Sequence, residues 1–331
     1  MTIKNSKSKL GLVLMIICST LFSCSNSFSA SSLSSTEDES FEKYNKETPV
    51  DFLFQSLDNG CCTAEASELN YPHLDFPYRF VNELRVPSFS PEHERVISID
   101  LRYCYFENLE KVILPPSILG LTEESFSGLK KLTSINIPSS VKWIGSSAFE
   151  GDISLSGIEL SKVKVIREKA FQDCQGLSSL DLGSSLLKID SYAFSHCESI
   201  PSITFPLTLK EIGASAFQYN SSLKSLIIPG NVKSIGNYAF FRCESLSSLT
   251  IEDGVSSIGS NAFLETPLEK VFIPKSVTNL YMNAFDNPIN HHVNVYCEAE
   301  EKPKGFMDGH YQKDKITYIF GTTREEFERL G

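Results

Sequence analysis

One apolar motif returns along this chain about every 23 residues, and that leaves few folds open to it. Its marker is phenylalanine at positions 126, 149, 171, 194, 217, 240, 263 and 285, at spacings of 23, 22, 23, 23, 23, 23 and 22. Alanine precedes it in every copy but the first, which has Ser125. Other apolar columns travel with it. One copy runs Leu132, Ile135, Ile137, Pro138, Val141, Ile144, Ala148, Phe149, and the next repeats the set at Leu155, Ile158, Leu160, Val163, Ile166 and Ala170. A leading copy starts at Leu109, a half-copy at Val96, Ile99 and Leu101 precedes it, and Val293 with Val295 trails the last. Eight full copies with atypical ends are what a stacked array needs.

The Ile-x-Ile pair alternates, so both side chains point to one side of a short strand. Pro115, Pro138, Pro206, Pro229 and Pro274 follow that strand and end it. Gly145, Gly213, Gly236 and Gly259 are expected to permit a tight turn after the Ile144-type column. Ala-Phe then places a small and a large residue inside. No copy buries these groups alone; stacked copies bury them as one core, in a ladder on the order of 35–40 Å long.

Cys174, Cys197 and Cys243 each stand three residues after the phenylalanine, a column that elsewhere holds Asp152, Asn220 and Leu129. They are expected as buried thiols, with a disulfide between Cys174 and Cys197 as the alternative. Asn220-Ser221-Ser222 is a formal glycosylation sequon, but an interior column argues against its use.

The unit Ile-Pro-x-x-Val-x-x-Ile-Gly-x-x-Ala-Phe-x-x-Cys-x-x-Leu, seen nearly whole from Lys224 to Cys243, closely resembles the BspA-type (Treponema-type) leucine-rich repeat over residues 105–290. The resemblance implies a leucine-rich repeat solenoid, of a repeat α/β to mostly β class, with caps at both ends. It also implies a bacterial or protist surface protein in an adhesion role, with no shared catalytic residues to carry over.

Residues beside the inward hydrophobes are expected to line one face. One column reads Lys111, Ser134, Gly157, Ser179, Ser202, Ser225, Ser248, Lys270; the other reads Ile113, Asn136, Glu159, Asp181, Thr204, Ile227, Thr250, Phe272. The candidate ligand-binding residues are Asn136, Glu159, Asp181, Ser202, Thr204, Ser225, Ile227, Thr250 and Phe272. Ile113, Ile227 and Phe272 are candidate apolar anchors, and small side chains keep the face shallow. Against this, serine also suits a crowded ladder whose hydroxyls bond to one another. Glu159 and Asp181 alone are too few ligands for a strong calcium site.

Lys4, Lys7 and Lys9 precede an apolar stretch from Leu10 to Phe22, a pattern suited to an export signal over residues 1–24. Leu21-Phe22-Ser23-Cys24 resembles a lipobox, with Phe22 a departure from it. Three readings stay open: lipidation at Cys24, an ordinary cleaved signal, and an uncleaved anchor. The first two export the chain. Residues 25–50, with seven serines between Ser25 and Thr36, read as a tether. Residues 51–104 read as an N-terminal cap with a short helix from Val50 to Leu57 and aromatics at Tyr71, Phe76, Tyr78 and Phe80. Cys61, Cys62 and Cys104 lie there, and one pair closing is an open alternative. Residues 291–331 read as a C-terminal cap, with a strand over Lys315–Phe320 and a helix over Thr322–Leu330 opened by Thr323, Glu325 and Glu326.

The formal net charge is −11, and no basic patch or phosphate loop offsets it, which disfavours nucleic acid as a partner. His291, His292, Cys297 and His310 form the sole His/Cys cluster, at a spacing that matches no zinc pattern. No catalytic residue, metal or cofactor is expected. The expected function is a monomeric, non-catalytic, cell-surface or secreted binding protein that contacts protein or glycan on a host or neighbouring cell. A membrane would be met only through an N-terminal lipid. The alternatives are a structural periplasmic scaffold and a host-directed effector.

Overall fold

Each copy of the repeat is one turn of a solenoid, and most copies carry two short strands rather than one. In the computed structural model, residues 53–57, 61–65, 81–101, 106–287, 292–307 and 315–330 are described. All of them belong to the unit Lys43–Gly331, and the unit Met1–Glu42 lies outside them. The expectations placed on the export signal, Cys24, the tether, the four cap aromatics, Cys104, His291 and His310 therefore fall outside the described residues. Among those residues the helix is a single short one, Arg324–Glu328, and none is long and apolar enough to cross a membrane.

The first ladder carries the Ile-x-Ile strands and comes in pieces. Glu83–Arg85, Lys111–Ile113 and Ser134–Ile135 pair in parallel. Gly157–Glu159 pairs with Ser179–Asp181, and Ser225–Ile228 with Ser248–Ile251. Lys270–Ile273, Val293–Cys297 and Ile316–Phe320 complete the far end. The copy around Ser202 and Thr204 forms no first-ladder strand. Pro201 explains this: Thr133, Ser156, Ser178 and Ser247 in the same column each donate an N–H to the preceding copy, and proline has none.

The second ladder is continuous. Nine two-residue strands run in parallel, from Gly120–Leu121 through Trp143–Ile144, Lys188–Ile189 and Ser234–Ile235 to Gly305–Phe306. The glycines beside it do a different job from the expected one. Gly145, Gly213, Gly236 and Gly259 have no positive φ. A Cβ on Gly236 would instead stand 2.5 Å from the Gly213–Ala214 backbone, and one on Gly145 2.4 Å from the Thr122 carbonyl oxygen. Close stacking of successive turns, not turn conformation, requires glycine there.

Inside, the eight phenylalanines form one column of stacked rings. Successive centroids are 5.0–5.4 Å apart and the planes lie within 3–9° of parallel. That spacing with near-parallel planes is an offset stack, and each such pair adds about 0.5–1.5 kcal/mol beyond its burial. The backbone follows the rings: the Phe149 N–H donates to the Ala170 carbonyl at 2.8 Å, and the same bond recurs from Phe126 to Phe263.

The Phe+3 column holds the turns together. Cys174 and Cys197 each donate Sγ–H to the phenylalanine carbonyl of the preceding copy at 3.1 Å, and Cys243 does so at 3.3 Å. Asn220 Nδ2 donates to the Phe194 carbonyl at 2.8 Å. All three cysteines are free and buried.

Two expectations for the N-terminal end need correction. Leu53–Leu57 is a strand, paired antiparallel with Cys61–Glu65, and not part of a helix. A stretch that short is a poor helix nucleus and gains more from a neighbouring strand. Arg95–Asp100 pairs with Cys61–Glu65 and not with the first ladder. Leu119 N–H donates to its Ile97 carbonyl, which places it ahead of the second ladder, while Glu83–Arg85 starts the first.

Candidate functional site

The first ladder presents its outward residues on one face, as the alternation required. Ser134, Ser179, Ser202, Ser225 and Ser248 are exposed, with Gly157 half-buried among them. In the neighbouring column Glu159, Thr204 and Ile227 are exposed and Thr250 is half-buried. Ile227 is 58% exposed, beside Thr250 in register.

Asn136 and Asp181 are exposed in that same column, and each also bonds to backbone. Asn136 accepts the Leu114 N–H at 2.7 Å through Oδ1 and donates to the Leu114 carbonyl at 2.9 Å through Nδ2, so its side chain extends the ladder in place of backbone. Asp181 lies in register with Glu159, but its Oδ1 accepts the Gly183 N–H at 2.8 Å and closes a turn. Among the described residues no group of three or more His, Cys, Asp or Glu side chains is placed to hold a metal.

Phe272 is not an exposed anchor: it is 3% exposed. The C-terminal helix lies over it. Phe327 stands 5.5 Å from Phe272 and 5.4 Å from Tyr296, and the Arg324 guanidinium sits 4.6 Å above the Phe272 ring. Arg324 Nη2 also donates to the Ile251 carbonyl at 2.9 Å. That carbonyl borders the break between Ser248–Ile251 and Lys270–Ile273, so the guanidinium bridges what the ladder leaves open. The helix begins at Thr323 with a capping box to Glu326, as the acids there suggested. What the sequence did not reveal was that this segment folds back onto the outward face of the first ladder.

Cys297, the cysteine of the His/Cys cluster, lies buried in the strand Val293–Cys297. Burial pushes its thiol up to about 12, so it is not poised as a nucleophile. His292 meets the Thr317 hydroxyl at 2.9 Å. Cys62 is buried and donates Sγ–H to the Glu94 carbonyl at 3.6 Å.

A second surface escaped the sequence reading. The residues two before and two after each buried phenylalanine adopt positive φ in copy after copy, from Glu124 (54°) and Gly128 (77°) to Asn261 (57°) and Glu265 (59°). Around Phe194, Phe217 and Phe240 these columns carry Tyr192, His196, Tyr219, Tyr238 and Arg242. Aligning the copies on phenylalanine brings these residues together.

Comparison with known proteins agrees with the architecture. Residues 97–187 and 164–292, more than half of the chain between them, match the family described as BspA type Leucine rich repeat region, in six copies. A leucine-rich repeat protein of Bacteroides ovatus is 22% identical and superposes with a TM-score of 0.66, over 83% of this chain and 71% of its own. The T. pallidum leucine rich repeat protein is 24% identical with a TM-score of 0.47, over 65% of this chain and 86% of its own. No curated protein matches the chain. With its eight phenylalanine turns and their columns in the family's register, the chain belongs to the BspA-type leucine-rich repeat family.

Proposed function

We propose that this chain is a non-catalytic binding module, exported from a bacterial cell and contacting a protein or glycan on a host or neighbouring cell. The observation that carries the proposal is the open middle of the first ladder's face. Ser179, Ser202, Thr204, Ser225 and Ile227 are exposed side by side, small or hydroxylated apart from one isoleucine. Extended faces of small residues are the contact surfaces of solenoids. Export rests on Lys4, Lys7 and Lys9 ahead of Leu10–Phe22, with Cys24 as the candidate lipid anchor.

The test is binding of fluorescently labelled protein to cultured epithelial cells and to immobilised matrix proteins, beside a triple variant, Ser202→Lys with Thr204→Lys and Ser225→Lys. Exposed sites tolerate lysine, so the variant is expected to melt with the parent while binding falls at least tenfold. Equal binding by both proteins removes this face as the contact surface. Mass analysis of the mature N-terminal peptide tests the anchor: an acylated Cys24 supports it, and an unmodified terminus beyond residue 24 refutes it.

A further inference from the structure

The two left-handed columns carry residues of every size on one backbone shape. In the first two copies the position two residues after the phenylalanine is held by Gly128 at 77° and Gly151 at 80°. Glycine suits such φ at no steric cost, and around Gly128 nothing lies within 4 Å of where a Cβ would stand. Three later copies put large side chains on the same backbone: His196 at 59°, Tyr219 at 61° and Arg242 at 54°. Each costs about 1 kcal/mol or more relative to glycine. These side chains do not enter the phenylalanine core. They lie half-buried at the surface, beside Tyr238, which is 41% exposed. The strained backbone is common to the column, since Asp173 and Glu265 share it at 60° and 59°; what sets these three copies apart is that their side chains are large and meet one another at the surface.

Together they build a ridge. The His196 and Tyr219 rings stack at 4.3 Å and 13°. Phe241 meets Tyr219 edge-on at 5.4 Å and Tyr238 at 5.7 Å. The Arg242 guanidinium covers both, 5.7 Å from the Tyr219 ring and 5.4 Å from Phe241. Its charge is met by the Glu265 carboxylate, so the ridge offers no net cation to an anionic polymer. It combines ring surface with hydroxyl, guanidinium and carboxylate groups, repeated at the interval of the turns. A partner that satisfies it carries apolar C–H faces and hydroxyls in every unit and no charge. That is the chemistry of neutral sugar rings; a purely apolar partner would strand the polar groups.

We propose that the ridge formed by His196, Tyr219, Tyr238, Phe241 and Arg242 is a binding site for a linear neutral polysaccharide. It is separate from the first ladder's face, and it stands whether or not that face binds a partner.

The test is affinity electrophoresis of the full chain in gels containing amylopectin, galactomannan or mixed-linkage β-glucan, with hyaluronate as the charged comparison. The variant is His196→Gly with Tyr219→Gly, which restores the residue the column uses at 128 and 151. Expected is retardation by at least one neutral polysaccharide, weakened at least tenfold in the glycine variant, whose melting temperature equals or exceeds the parent's. The lysine triple variant of the other face is expected to be retarded like the parent, which separates the two sites. The proposal is overturned if no neutral gel retards the parent, if hyaluronate alone does, or if the glycine variant is retarded equally. A glycine variant that melts well below the parent also overturns it, because the rings would then serve the fold.

Discussion

At the scale of single residues, Asp152 is the group whose environment makes the sharpest demand. In its column Cys174, Cys197, Asn220 and Cys243 each donate to the phenylalanine carbonyl of the preceding copy. An ionised carboxylate has no proton to donate. Asp152 is fully buried, Oδ1 accepts the Leu129 N–H at 2.7 Å, and Oδ2 has no partner among the described residues. Burial pushes its carboxyl well above the usual carboxylate range, while the bonds from the Leu129 and Gly128 backbone oppose the rise. A neutral carboxylic acid would have a proton to donate, as the other four residues of the column do. The sign of the pH effect follows. The folded state holds a proton that the unfolded chain releases above its ordinary carboxyl pKa, so Asp152's contribution is complete below that value and is lost as pH rises through the folded one. Asp152→Asn supplies a permanent donor, as Asn220 does. It is expected to stabilise the protein at neutral pH by about 1–3 kcal/mol, the cost of an unsatisfied buried group. It should also flatten this residue's part of the pH profile. Urea unfolding of parent and variant at roughly pH 4 and pH 8 checks both, and a variant less stable than the parent at the higher pH refutes the assignment.

At the scale of the turn, glycines 128 and 236 serve opposite needs and predict opposite behaviour. Gly236→Ala drives a Cβ to 2.5 Å from the preceding turn's backbone, and overpacking of that kind costs about 1–3 kcal/mol or more. Gly128→Ala meets nothing within 4 Å and carries only the cost of φ at 77°, about 1 kcal/mol. Urea midpoints that rank the two the other way would show that turn conformation, not close stacking, decides the glycine columns. The C-terminal helix makes a second case. None of its residues is buried, so its hold on the ladder rests on Arg324 and Phe327. Phe327→Ala is expected to raise hydrogen exchange over residues 270–297 while leaving residues 120–240 unchanged, and unaltered exchange at 270–297 would show that the helix is no cover. The strand of the first ladder and the start of this helix were legible because alternation and capping chemistry are local. The second ladder was not, because two residues such as Ser234–Ile235 are too few to show an alternation. Nor was the burial of Phe272, which depends on a segment some fifty residues away in sequence.

At the scale of the whole solenoid, the repeat was legible because every copy must bury its phenylalanine against its neighbours, and that need writes itself into the sequence at a fixed period. The candidate site was legible only in part. Outward columns could be listed from the alternation, but the backbone bonds that tie the exposed Asn136 and Asp181 side chains down are not encoded in periodicity. The ring column also sets how the molecule comes apart. Each copy touches only its neighbours, so stability is a chain of nearest-neighbour terms. Phe194 stacks on both Phe171 and Phe217, whereas among the described residues Phe285 stacks on Phe263 alone. Phe194→Ala removes two ring contacts at the middle, at a cost of about 3–5 kcal/mol. It should weaken the coupling between the halves enough that urea unfolding shows two steps, with hydrogen exchange rising first over the copies beside residue 194. Phe285→Ala removes one contact and is expected to cost less, to keep a single main transition and to fray only the far end. If both variants lose equal stability in one sharp step, coupling extends beyond neighbouring turns, and the stacked phenylalanines do not govern the cooperativity of the array.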